Sequence, residues 1–158
     1  MSSKQITDHK EAILFQEALN LASKEFYLDA IKLLESLIEK FPNSKFAADA
    51  LFDIGMCLFN MNQFDEAVQT FNQVITDYPK AKISSLNSDR EFGLLSSKAH
   101  YAIVNCYLAL NDAKSAKGHV EKLKRHKDSY VLDANDQKVS YFDLANKSLS
   151  LYEKETRK

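Results

Sequence analysis

Proline and glycine are nearly missing from this chain of 158 residues, which holds two of the first and three of the second. Both residues break regular structure, so their scarcity leaves little room for a turn-rich fold and fits a chain that is helical almost throughout. An excess of one charge is missing too: 21 Lys and Arg stand against 22 Asp and Glu. With no global basic surplus to neutralise phosphates, nucleic-acid binding is not expected. No apolar run approaches the ~20 residues of a membrane span, and residues 1–10 are polar, without the apolar core of a secretory leader. The expected compartment is the cytoplasm, or the periplasm if a leader has been removed.

Signatures of chemistry are also lacking. The four histidines are His9, His100, His119 and His126. His119 and His126 fall two turns apart on one helical face, and no His-Glu-x-x-His pair sets zinc ligands one turn apart. Neither a Gly-x-Ser-x-Gly elbow nor a phosphate-cradling glycine loop occurs. The reading is therefore no enzyme, no metal and no cofactor.

What the chain does have is repetition. Pro42 and Pro79 lie 37 residues apart, and the same pattern precedes each. Leu14-Phe15 answers to Leu51-Phe52, Leu21 to Leu58, Asp29-Ala30 to Glu66-Ala67, and Phe41-Pro42 to Tyr78-Pro79. Within the second copy Leu51, Ile54, Leu58 and Met61 step by three and four, the spacing of one helical face. Asn62 can take the left-handed conformation that ends a helix. Phe64, Ala67, Val68, Phe71, Val74 and Ile75 line a second helix, and Pro79 closes the unit. A third, weaker copy follows at a shift of 49, matching Ile103 to Ile54, Asn111 to Asn62 and Ala116 to Ala67. Recurrence at such a period marks a stacked repeat architecture.

On these residues the chain resembles the tetratricopeptide repeat family, over roughly residues 11–128. That family's helix-turn-helix unit carries a large residue early in its first helix, a small one four positions on, an alanine in the second helix and a closing proline. Leu51, Gly55, Ala67 and Pro79 hold those places in the second repeat, and Leu14, Ala18, Ala30 and Pro42 in the first. Glu17 departs from the pattern, standing where the second repeat has Ile54. The usual unit is about 34 residues. The extra residues fall at 42–48, and that form resembles the bacterial envelope branch, with its Tol–Pal coordinator and outer-membrane assembly lipoprotein types. Cys57 and Cys106 take equivalent places in successive repeats. Helix axes about 8–10 Å apart set such positions too wide for a disulfide, so both read as buried thiols.

The resemblance implies a single domain spanning 1–158: an all-α, right-handed helical-repeat solenoid of three helix pairs, at about 11–42, 48–79 and 97–128. An insertion at 80–96 precedes the third pair, and a C-terminal helix near 135–153 caps the array. Helices are expected near 9–25, 27–41, 44–61, 64–77, 89–110, 113–127 and 135–153, with no β-sheet. Ser88 and Glu91 read as a capping box opening the fifth helix, with Gly93 loosening its first turn. Val139, Phe142, Ala145, Leu149 and Tyr152 form the stripe of the last helix.

In the family the first helix of each repeat lines a concave surface that holds a partner. Carried over, the partner-binding places are Phe15 and Leu19, then Phe52, Met56, Phe59 and Asn60, then Tyr101, Asn105 and Leu108. Helical spacing alone sets Phe52, Met56 and Phe59 on one stripe, leaving Leu51, Ile54 and Leu58 for the core. A helix apolar over so wide an arc is covered on a second side, by its own chain or by a partner. Phe15 and Phe52 stand where a carboxylate-clamping member of the family would carry lysine. The implied role is a non-catalytic adaptor for an apolar helical or extended peptide, with self-association through the apolar faces as the alternative. The basic run 122–127 has two readings, a docking site for an acidic partner or membrane, or cations opposing a helix dipole.

Overall fold

The computed structural model describes residues 2–84 and 88–157, which divide into two compact units between Thr70 and Phe71 along the chain. The described residues form seven helices and three short strands.

The first unit contains α1 (Ser3–Ser23), α2 (Tyr27–Lys40), α3 (Ala47–Asn60) and the first half of α4 (Phe64–Asp77). Ser2 opens α1 through a capping box: its hydroxyl accepts from Gln5 N, and the Gln5 side chain accepts from Ser2 N at 3.0 Å. The turn after α1 is a Schellman motif, closed by Phe26 N donating to Leu21 O at 2.9 Å. The same bond recurs from Gln63 N to Leu58 O at 2.9 Å and, in the second unit, from Asp112 N to Tyr107 O at 2.8 Å. In each turn the preceding residue is left-handed, with φ of 66° at Glu25, 61° at Asn62 and 60° at Asn111. The expected helix stop at Asn62 is thus present, and the repeat register can be read from the backbone. The alanine of each second helix, Ala30, Ala67 and Ala116, is completely buried, at 0% exposure.

Phe15 and Ala18 of α1, Leu34 and Leu37 of α2, and Phe46, Ala50 and Ile54 form the core of this unit. Burying each of the larger side chains is worth about 1.5–3 kcal/mol. The 42–48 spacer takes part directly: the Phe46 ring stacks on Phe15 at 5.4 Å between centroids. Ser44 pins the spacer to α1, its hydroxyl donating to Glu11 Oε2 at 2.7 Å and accepting from Phe46 N at 3.1 Å.

The second unit holds the end of α4, then β1 (Glu91–Phe92), α5 (Leu95–Ala109), α6 (Ala113–Leu123), β2 (Tyr130–Leu132), β3 (Lys138–Ser140) and α7 (Tyr141–Thr156). Val104, Ala116, Val120, Leu123, Tyr141, Ala145 and Leu149 form its core, so the C-terminal helix does seal the last helix pair. Asp112 caps α6 and Ser140 caps α7 by accepting backbone N–H bonds from Ser115 and Asp143.

Here the structure corrects five expectations. There is a sheet, antiparallel and ordered β1-β2-β3, with Glu91 opposite Val131 and Val131 opposite Val139. The fifth helix begins at Leu95 and not near 89, because Glu91 and Phe92 are spent on β1. Ser88 accepts from Arg90 N at 3.1 Å and caps no helix. Gly93 does not loosen a helical turn but makes the corner between strand and helix, at φ 111°. The last helix begins at Tyr141 and not near 135, because residues 133–137 turn the β2–β3 hairpin and Val139 lies in β3. The Arg90 guanidinium fastens that turn, donating to Asp133 O and pairing with Asp136 at 2.8 Å.

Candidate partner-binding surface

The side chains implied for partner binding divide by exposure. Phe15 and Phe52 are core residues, 1% and 2% exposed, and line no open face. Phe15 is covered by Phe46, which the lengthened spacer carries over it. Phe52 goes inward because α3 is buried around most of its circumference, Ala47, Ala48, Ala50, Ile54, Gly55 and Cys57 included. Leu51 and Leu58, expected inside, are only half-buried. The apolar arc of α3 is so wide that periodicity did not fix which side faces in.

Five of the remaining places are half-buried apolar side chains and two are amides. In the first unit Leu19 packs at the edge of the core, Met56 is half-buried, and Asn60 is exposed. Phe59, also half-buried, meets Phe64 edge-on at 5.3 Å. In the second unit Asn105 is half-buried, while Tyr101 and Leu108 border the core around α7. The Tyr101 ring lies 5.9 Å from that of Tyr141, so α7 covers part of this stretch of α5.

Two further features escaped the sequence reading. Phe26 and Leu28, at the α1–α2 turn, are 55% and 63% exposed. With Glu25, Tyr27, Asp29 and Met61 they line an open concavity of about 350 Å³. The signal was there: two large apolar residues in a turn that needs neither. The second feature pairs His119 with His100 of α5, Nδ1 to Nδ1 at 2.9 Å, and not with His126, which lies beyond the end of α6. Burial holds both imidazoles down at about 4, with the Lys122 charge adding to it, and for His100 the neighbouring His119 and His126 as well. Both are therefore neutral near pH 7, one Nδ1–H donating to the other Nδ1. Among the described residues no three His, Cys, Asp or Glu side chains converge as metal ligands. Cys57 and Cys106 are free and buried, and burial pushes their thiols up to about 11 and 12, which keeps them protonated.

The tetratricopeptide repeat model matches residues 27–44 and 49–81, over α2 and then over the α3–α4 pair. The fold is that of a tetratricopeptide-repeat protein. Among solved structures, MamA AMB-1 is 22% identical, with a TM-score of 0.54 over 72% of this chain and 57% of that one. The chain spans little more than half the length of the MamA structures it matches. The Hsp90 co-chaperone Cns1 from Saccharomyces cerevisiae is 12% identical, with a TM-score of 0.66 over 95% of this chain and 41% of Cns1. The Yersinia enterocolitica type III secretion chaperone SycD, in complex with a peptide of the translocator YopD, is 16% identical, with a TM-score of 0.61 over 96% and 91% of the two chains. Identities this low speak to fold. No curated protein sequence matches the chain.

Proposed function

We propose that this chain, with its tetratricopeptide-repeat fold, is a non-catalytic adaptor that holds an apolar helical or extended peptide. The observation that carries the reading is on α3. After that helix has buried one whole side, Met56 and Phe59 remain partly open beside the exposed Asn60. Half-buried, preorganised apolar side chains next to an amide are what a peptide hot spot uses, since they lose little entropy on binding. SycD, of like fold, is seen with a bound translocator peptide, which supports a peptide as cargo. The 37-residue spacing, which resembles that of the Tol–Pal coordinator and outer-membrane assembly types, is what supports a role in cell-envelope assembly. No described helix is long and apolar enough to cross a membrane. Fractionation of the native cell separates the cytoplasmic from the periplasmic setting.

The test is capture of partners from native lysate by wild type and by Met56→Ala with Phe59→Ala. Both side chains are only half-buried, so the pair is expected to keep the fold and lose the retained partner. Equal retention by the stable variant would remove this surface from the proposal.

A second reading, self-association, is favoured by Ile6 and Ile13, seven residues apart on α1 and 45% and 51% exposed. Light scattering at high concentration decides between the readings, a monodisperse monomer ruling self-association out.

A further inference from the structure

The near-neutral total charge conceals a division. Residues 1–70 carry six Lys and Arg against eleven Asp and Glu, a formal −5, whereas residues 71–158 carry fifteen against eleven, a formal +4. Within the second unit the surplus gathers where α6 ends. His100, Glu121, Lys122, Lys124, Arg125 and His126 line one concavity of about 680 Å³. Lys124 is engaged by the Glu121 carboxylate at 3.1 and 3.2 Å. The side chains of Lys122, Arg125 and His126 are exposed and make no hydrogen bond or ion pair among the described residues. A helix C-terminus favours cations, which accounts for basic residues along the last turn of α6. It does not account for Arg125 and His126 sharing a cavity with an imidazole of α5, nor for three cations facing one carboxylate.

We propose that this basic concavity docks an acidic peptide segment of a partner protein, its carboxylates seated between Lys122, Arg125 and His126. The guanidinium of Arg125 offers the forked donor geometry that a carboxylate accepts in two bonds, and Lys122 adds a point charge. His100, hydrogen-bonded to His119, forms part of the lining beside them. A concave site suits side-chain carboxylates better than a membrane, which needs a flat basic face or an apolar wedge. It suits nucleic acid less still, since phosphates call for a basic track along many residues and not one pocket. This site lies in the second unit and is independent of Met56 and Phe59.

Fluorescence anisotropy of a labelled oligoglutamate peptide with the full chain tests the proposal, with oligoglutamine of equal length as control. Oligoglutamate alone is expected to bind saturably, and to weaken as salt is raised. Lys122→Gln with Arg125→Gln is expected to lower its affinity about tenfold or more, while Lys4→Gln with Lys10→Gln, equally exposed in the first unit, leaves it unchanged. All four positions are exposed, and a circular dichroism melt confirms that the variants fold. Absence of saturable binding at low salt, or equal losses in both pairs, would overturn the proposal. So would binding to phosphatidylserine vesicles without binding to oligoglutamate. Association between copies that Lys122→Gln with Arg125→Gln abolishes, and that oligoglutamate fails to compete with, would assign the concavity to a second copy instead.

Discussion

Single residues show where this chain departs from what its repeats ask for. The three inter-helix turns each require a left-handed residue, and two supply asparagine, whose short side chain tolerates that conformation. The first supplies Glu25, at φ 66°. Glu25→Asn is therefore expected to stabilise the fold by about 0.5–1 kcal/mol, read as a higher urea midpoint at unchanged slope. An unchanged midpoint would mean that Glu25 gains elsewhere what its backbone loses. The His100–His119 pair makes a pH prediction. Both imidazoles titrate at about 4 when folded, against about 6.5 for a free side chain. Between those values the unfolded chain binds more protons, so stability is complete above about pH 6.5, falls as the pH drops, and levels off below about 4. Replacing both by leucine removes this dependence, and denaturant melts from pH 7 to pH 4 should show a flatter profile for the double variant.

At the scale of elements, what could be read from the sequence was what is local. The helix pairs were legible because apolar spacing, the asparagine stops and the two prolines all lie within one repeat. The sheet was not, because its first strand pairs with residues some forty positions away, Glu91 with Val131. Ser88 to Glu91 satisfies a capping box by composition, and only the distant partner shows that it forms a strand. The hairpin did leave a trace: Tyr130 and Val131 are strand formers, followed by an Asp-Ala-Asn-Asp turn cluster and by Val139. The partner surface was legible as a set of helices and positions but not as a face, since Phe52 and Phe59 look alike to a periodicity argument. The structure alone separates the buried ring from the half-open one. Gly93 joins these elements. A β-carbon there would lie 2.4 Å from Ser129 Oγ, and the Ser129 hydroxyl also accepts from Leu94 N at 2.9 Å. Gly93→Ala must both strain a positive φ and push β1 off the hairpin, at an expected cost of about 2 kcal/mol or more. A melting temperature equal to wild type would show that the sheet contributes nothing to stability.

For the whole molecule the question is whether two compact units make two domains. Their boundary falls between Thr70 and Phe71, halfway along α4, and a 14-residue helix cut there leaves about two turns on either side. Isolated segments so short are far below the length at which a helix holds in water, because each must repeat the costly nucleation step for few propagating bonds. Repeat arrays behave this way in general: a unit is stable through the neighbour it stacks on, and the divisions that packing draws need not be places where the chain can be divided. The chain is accordingly expected to fold as a single domain, and truncation shows it. A fragment ending at Thr70 should lose helicity beyond its share of residues and melt at lower temperature or not cooperatively, whereas a fragment ending at Tyr78, which keeps α4 whole, should regain both. Circular dichroism of the two fragments beside the full chain is the measurement. A 1–70 fragment with full helicity per residue and a sharp melt would make the first unit a domain in its own right, and would place the adaptor surface of α3 on a module able to work alone.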